Sequence, residues 1–456
     1  MSDVIDPYRE QFRRLQGAGT GASWLAPFRD QAFERFASRG FPSTNEEEFR
    51  FTNLSALTRT AFALPGEPSH GAGDISAQIS GLSQLDGTRL VFVDGRLDMD
   101  ASRLGEIPSG LVVLAMGEAL SKHRDRLQPI VERDWGDEET VFRALNQAFI
   151  GEGAFILIPR DVALSQPIHL LFLASASASP SAGAATMSHP FNVIVAEPGS
   201  SATILESYHG PDDGQYLTNV VTEIVAEDNA HVDHYKLQRE GRRAFHTSWL
   251  SASQSRDASV SNHSIALGAR LARNDIRTEL SGQGASCQLN GLYVLQGDQL
   301  VDHHTVIDHE SAHCTSRELY KGVLDDASRA VFNGRIIVRP DAQKTDSEQS
   351  NKNLLLSKEA LVNSNPQLEI HADDVKCAHG ATIGQLSPEA MFYLRSRGIG
   401  EARARHILTQ GFINDVNQKL KISALRQELQ RILFGAADTS PSSGGSSVGG
   451  DPKGDR

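Results

Sequence analysis

Between residues 199 and 315 the sequence repeats one short pattern: a turn, a small alanine, then alternating apolar and polar positions. Ala202, Ala230, Ala258, Ala285 and Ala312 stand 28, 28, 27 and 27 residues apart, each directly behind turn residues. Two positions after them come Ile204, Val232, Val260, Cys287 and Cys314, and between lie Thr203, His231, Ser259, Ser286 and His313. Period-two alternation that recurs at fixed spacing predicts strands stacked as rungs, with one ladder inside and the other outside. A parallel β-helix satisfies both periods, because equivalent positions stack about 4.8 Å apart and bury a continuous apolar ladder. The expected fold class is mainly β: a parallel β-helix (solenoid) core flanked by an N-terminal helical or mixed domain and a C-terminal helical domain.

The flanks follow another period. Residues 31–36 carry apolar side chains at helical spacing, and Thr44-Asn45-Glu46-Glu47 has capping-box spacing, so the acidic run 46–48 reads as a solvated helix start. Turn residues over 64–71 form a linker, and residues 90–93 ahead of Asp94-Gly95 read as a strand closed by a turn. The N-terminal domain is placed at 1–145 and the β-helix core at 150–385, with a low-complexity loop at 174–183. Ser387-Pro388-Glu389 is an N-cap with proline at the first helical position, and Gly398 is placed to end that helix after Arg395 and Arg397. Residues 401–410 and 415–433 read as two further helices of a domain spanning 386–436. The Ser- and Gly-rich stretch 437–456 is expected to be a disordered tail.

Composition narrows the functional classes. With 456 residues the chain has room for two or three structural units, and 39% hydrophobic and 22% charged residues are ordinary for globular proteins. A net charge of −13 disfavours broad binding to nucleic acid or anionic lipid. Cys287, Cys314 and Cys377 are too few and too odd for a disulfide framework, which fits a reducing compartment. No apolar run approaches a membrane span, and the charged opening from Met1 to Arg9 lacks the apolar stretch of a signal peptide, so the expected location is cytoplasmic.

Several motifs fail on context. Gly17-Ala18-Gly19-Thr20-Gly21 has no strand before it, Gly445-Ser446-Ser447-Val448-Gly449 lies in the tail, and the absence of any Gly-Lys pair excludes a P-loop. Asp302-His303-His304 with His309, His313 and Cys314 invites a metal reading, yet the ladder points His313 outward and Cys314 inward, so these side chains diverge. In Asp373-Asp374-Val375-Lys376-Cys377-Ala378-His379, a strand would put Cys377 and His379 on one face, about 6.5 Å apart. A thiolate beside an imidazole suits iron, zinc or cluster ligation, with the remaining ligands supplied from elsewhere in the chain or by another protein. A buried cysteine beside a satisfied histidine in the final rung is the competing reading. The segment from Arg397 to Ile407 resembles a helix-hairpin-helix whose Gly-Ile-Gly turn approaches a nucleic-acid phosphate. The same helices would equally dock on a protein, with Phe392 and Tyr393 as anchors.

Taken together, Gln343 to Asn351, Leu354 to Ser357, Asn365 to Ile370, Asp373 to Thr382, Arg397-Gly398-Ile399 and Gly411-Phe412 resemble the SufB/SufD family. Its members are paired β-helix scaffolds of the Suf iron–sulfur cluster assembly machinery, and the resemblance covers roughly residues 150–434. Glu46 to Leu54 resembles a motif near the start of the SufD branch. The segment in which SufB-type chains carry a cysteine reads Glu206-Ser207-Tyr208-His209-Gly210, without a thiol. The resemblance implies a non-enzymatic scaffold subunit that does not itself receive persulfide sulfur. It implies pairing with a SufB-like scaffold protein through the β-helix, or with a second copy in isolation. It also implies docking of a SufC-like ATPase on the C-terminal helices, with Phe392, Tyr393, Arg395, Arg397 and Gly398 on the docking side. Cys377 and His379 would face the SufB-like partner at a site of transient iron or nascent cluster, and no permanent cofactor is expected. The Gly-Ile-Gly turn then belongs to the docking domain, with nucleic-acid binding as the alternative function. A β-helix enzyme of the acyltransferase kind would need hexapeptide periodicity, and a polysaccharide-active one paired acidic residues along a groove; neither is present.

Overall fold

The computed structural model describes residues 2–17, 22–66, 82, 85–136, 139–175 and 184–435. The expected tail, most of the low-complexity loop, the end of the 64–71 linker and the glycine-rich 18–21 segment lie outside them. Strands alternate between two parallel sheets, one strand per coil in each, to form a β-solenoid of about seven turns. One sheet stacks Ser201–His209, His231–Arg239, Ser259–Ala266, Ser286–Leu295, Thr315–Leu324, Asp346–Leu355 and Lys376–Gln385. The other stacks Tyr216–Ala226, Phe245–Gln254, Leu271–Leu280, Leu300–His309, Arg329–Val338 and Leu361–Ile370.

The alanines mark one corner of each coil. Asn229, Asp257, Gly284, His313 and Lys344 all adopt left-handed backbone there, and each donates its amide to a carbonyl of the next corner, as from Asn229 to Arg256 at 2.9 Å. Asn, Asp and Gly tolerate this conformation best, which explains the turn composition. Ala230, Ala258 and Ala285 fill the buried position behind it, but in the next coil that place belongs to Cys314, not to Ala312. The coils lengthen by two residues at that point, so Cys314 is not on the ladder of Cys287. Cys287 stacks on Val260 below and Ser316 above. Likewise Val232 pairs with Ala202, and Ile204 with His234.

The interior is also less apolar than a continuous ladder would make it. One inward column of the first sheet runs Ile204, His234, Asn262, Leu289, Glu318, Gln349 and His379. Beside it Lys236 is buried and donates to Asn274 at 2.8 Å, and desolvation lowers its pKa to about 7. Burial of these groups is tolerated because most find partners within the coil stack, for example Glu206 with Tyr208 and Thr222.

Helices cover the outer faces. Ser2–Gly17, Leu25–Arg39 and Val141–Ala148 pack through Phe12, Phe33 and Phe36 onto Leu217, Phe245 and Leu271 of the second sheet. Thr88–Val93 pairs with Ile168–Leu173, and Val112–Ala115 with Ala154–Ile158, so the sheets start ahead of residue 150. Asp94 and Gly95 form the left-handed turn after the first of these strands. The expected helix at the 44–47 capping box is only the single 3-10 turn Glu47–Phe49, and the reciprocal bond is made by Ser43 N–H to Glu46 Oε1. Tertiary contacts hold this strap instead: the Phe49 ring lies 4.1 Å from the Arg273 guanidinium, and Arg273 donates to the Glu48 carbonyl.

At the other end, Glu401–Asn417 seats Ile413 and Val416 on Leu292, Val323 and Leu354, while Ser423–Phe434 seats Leu425 and Leu429 on Tyr235 and Leu237. The first of these runs through Gly411 to Asn417, seven residues beyond its expected end, because these apolar anchors continue past the glycine. Pro388–Ser396 buries none of its residues and projects.

Candidate functional site

The C-terminal end of the solenoid is open. Among the described residues Lys376–Gln385 pairs only with Asp346–Leu355, and Leu361–Ile370 only with Arg329–Val338, so each presents one edge of backbone groups left unpaired by them. Of Lys376–Gln385 only Cys377 is partly buried, and Ile383 and Ile370 are 50% and 42% exposed. Such edges and side chains are templates for another chain.

Cys377 and His379 occupy inward columns of this last strand, in register with Ser347 and Gln349. They share a face, as the alternation requires. Cys377 packs against the end of the core, and His379 is exposed. Burial pushes the Cys377 thiol up, the Asp346 carboxylate adds to this, and the Ser347 backbone opposes it, so the group is a thiol in this chain alone. Among the described residues no three or more His, Cys, Asp or Glu side chains form a potential metal group.

The 302–314 cluster disperses. His303 points inward between Tyr293 and Tyr320, His304 pairs outside with Asp302, His309 bonds Ser316 Oγ at 2.9 Å, and His313 is exposed at a corner.

Two residues beneath the open end escaped the sequence reading. Glu318 is buried and accepts from Gln349 Nε2 at 2.6 Å, and desolvation raises its pKa to about 7. Nothing local marked them: every position of Ser347-Glu348-Gln349-Ser350-Asn351 is polar, and the inward placement of Ser347, Gln349 and Asn351 emerges only when the coils stack. The folded state holds the Glu318 proton more tightly than the unfolded chain, so stability should fall as pH rises from about 4.5 through about 7. At about 1.4 kcal/mol per pKa unit the loss is at most about 3 kcal/mol. Glu318→Gln keeps the bond to Gln349 and should flatten this dependence; thermal melts at pH 5 and pH 8 that shift as in the parent would refute it.

The second exposed feature is the projecting helix. Ser387 Oγ caps it by accepting from Ala390 N–H, and Gly398 ends it with φ +82°, its amide donating to Arg395 O at 3.0 Å. Phe392 and Tyr393 are 74% and 58% exposed, Arg397 lies 5.4 Å from the Tyr393 ring, and Arg395 faces Glu401 at 3.8 Å. A cleft of about 720 Å³ runs between this helix and the next, lined by Met391, Phe392, Arg395 and Arg405 among others. Among the described residues no helix is long and apolar enough to cross a membrane.

Residues 178–412 match the SufBD core domain of the SUF system for FeS cluster assembly, and residues 3–170 match the SufBD N-terminal region. The chain is 32% identical to the iron–sulfur cluster assembly protein SufD of Escherichia coli over 417 residues, 90% of this chain and 94% of that one. It is also 32% identical to an iron–sulfur cluster assembly SufBD family protein of Synechocystis, over 91% of this chain and 92% of the relative. Against SufD of Bacillus subtilis the identity is 25%, over 90% and 93%. The chain therefore belongs to the SufB/SufD family of Suf iron–sulfur cluster assembly proteins, and is SufD-like.

Proposed function

We propose that this chain is a non-enzymatic scaffold subunit that pairs through its open solenoid end with a SufB-like protein and docks a SufC-like ATPase on its C-terminal helices. The observation that carries this reading is the uncovered strand Lys376–Gln385, which holds Cys377 and His379 side by side at an edge built for strand pairing. Iron or a nascent cluster is the cargo of that junction. Cys377 and His379 contribute two donors, and the partner contributes the rest. Burial favours the Cys377 thiol, so Cys377 would give up its proton on meeting the metal.

The test is iron and acid-labile sulfide in the complex copurified with SufB-like and SufC-like partners. His379→Ala should lower both severalfold with complex recovery unchanged, and Cys377→Ser should lower them less. Unchanged content in a normally assembled His379→Ala complex would remove His379 from the site.

For the ATPase, removing residues 388–434 would uncover Leu292, Val323 and Tyr235, so point variants on the projecting helix are the cleaner probe. Phe392→Ala combined with Tyr393→Ala should reduce ATPase copurification about 10-fold or more, since exposed aromatic anchors dominate such contacts. Retention of the ATPase, or tight duplex DNA binding that depends on Gly398 and Gly400, would favour the nucleic-acid alternative.

A further inference from the structure

Directly beneath His379 in the inward column stands Gln349, one rung below at the strand spacing of about 4.8 Å. Its side chain is 1% exposed, and Glu318 fixes its orientation by accepting from Nε2 at 2.6 Å. With the amide nitrogen so engaged, Oε1 is left as a buried acceptor, and among the described residues it has no hydrogen-bond partner. Room for this side chain is built into the opposite sheet: a Cβ at Gly334 would collide with Gln349 Nε2. An unanswered buried carbonyl costs stability unless something completes it, and the next side chain along the column is an imidazole with two ring nitrogens.

A histidine that ligates metal through one nitrogen almost always donates the other N–H to a fixed acceptor, which sets the tautomer and the ring orientation. We propose that Gln349 is a positioning residue for His379: when a partner closes the open end, the His379 ring N–H donates to Gln349 Oε1 and the second ring nitrogen is left facing the partner. Glu318 acts one step further back by holding the amide so that its oxygen, and not its nitrogen, meets the ring. A reversed amide would present N–H to the imidazole and select the opposite tautomer. The inference rests on the reading of His379 as a donor to iron.

The test uses the copurified complex carrying this chain labelled with 15N-histidine, with His379 assigned by subtracting the spectrum of His379→Asn. Solid-state 15N spectra of the sedimented complex should show His379 as one tautomer, and Gln349→Leu should convert it to a mixture. Iron retention, read by competition with a chromophoric Fe(II) chelator, should weaken about 10- to 100-fold in Gln349→Leu. The exchanged pair Glu318→Gln with Gln349→Glu reverses the direction of the lower hydrogen bond but still presents an oxygen acceptor to the ring, and should restore retention to within about 3-fold. A single-tautomer spectrum unaffected by Gln349→Leu overturns the proposal, as does a loss of retention that the exchanged pair fails to restore. If His379→Ala leaves iron unchanged, the donor reading fails, and the tautomer spectra still decide the hydrogen bond by themselves.

Discussion

Arg273→Met is expected to lower the unfolding free energy by about 3–5 kcal/mol, the range for removing one partner of a buried ion pair. The guanidinium has no solvent-exposed surface. It meets Asp275 Oδ1 at 2.7 Å and Asp302 Oδ2 at 2.8 Å, and reaches the Glu48 carbonyl at 2.8 Å. Asp302 in turn accepts from Thr52 Oγ1 at 2.6 Å and is held well below the usual carboxylate range by Arg273 and then His304, against the opposing effect of burial. Without the cation, two carboxylates face each other in a site closed by the Phe49 ring, and the strap that includes Glu48, Phe49 and Thr52 loses its main anchor. Denaturant titration measures the loss; a decrease under about 1 kcal/mol would show that the strap is not held by this network.

At the open end the largest effect should come from placing charge on surface that the described residues leave bare. Ile370→Asp with Ile383→Asp is expected to weaken association with a SufB-like partner at least 100-fold and to leave the fold intact. Burying one such side chain contributes about 1.5–3 kcal/mol, so two together span more than two orders of magnitude in affinity. Both residues are about half exposed, and both belong to terminal strands whose own coils stay paired on the other side. Sedimentation equilibrium of the mixed subunits reads the result directly. Parent-like affinity would move the interface elsewhere, and loss of self-association alone would identify a second copy of this chain as the occupant of that edge.

How far these features were legible in the sequence depended on the range of the interaction behind them. The corner alanines Ala230, Ala258 and Ala285 and their left-handed turns are local, and their spacing was enough to read a solenoid. Register at Ala202 and Cys314 was not, because coil length changes there and only backbone pairing across coils decides which residue fills the corner. Cys377 and His379 were readable as one face from strict alternation. Glu318 and Gln349 were not, since a polar residue in a strand reads as outward until neighbouring coils close over it. The Glu46–Phe49 turn has helix-like local spacing, but its conformation is set by Arg273, more than two hundred residues away.

That separation bears on the order of events as the chain is made. The Glu48 carbonyl and Arg273 are 225 residues apart in sequence, and Thr52 and Asp302 are 250 apart. At about 5–20 residues per second, a ribosome completes the first of these contacts roughly 10–45 s after the strap leaves it. Throughout that interval Phe49 has no cation to lie against, and the coil that will bind it does not exist. The strap is synthesised early and seated late, so it closes a long loop over coils that have already stacked. A nascent chain stalled before residue 273 should therefore expose Phe49 to a protease, and one released after residue 302 should protect it.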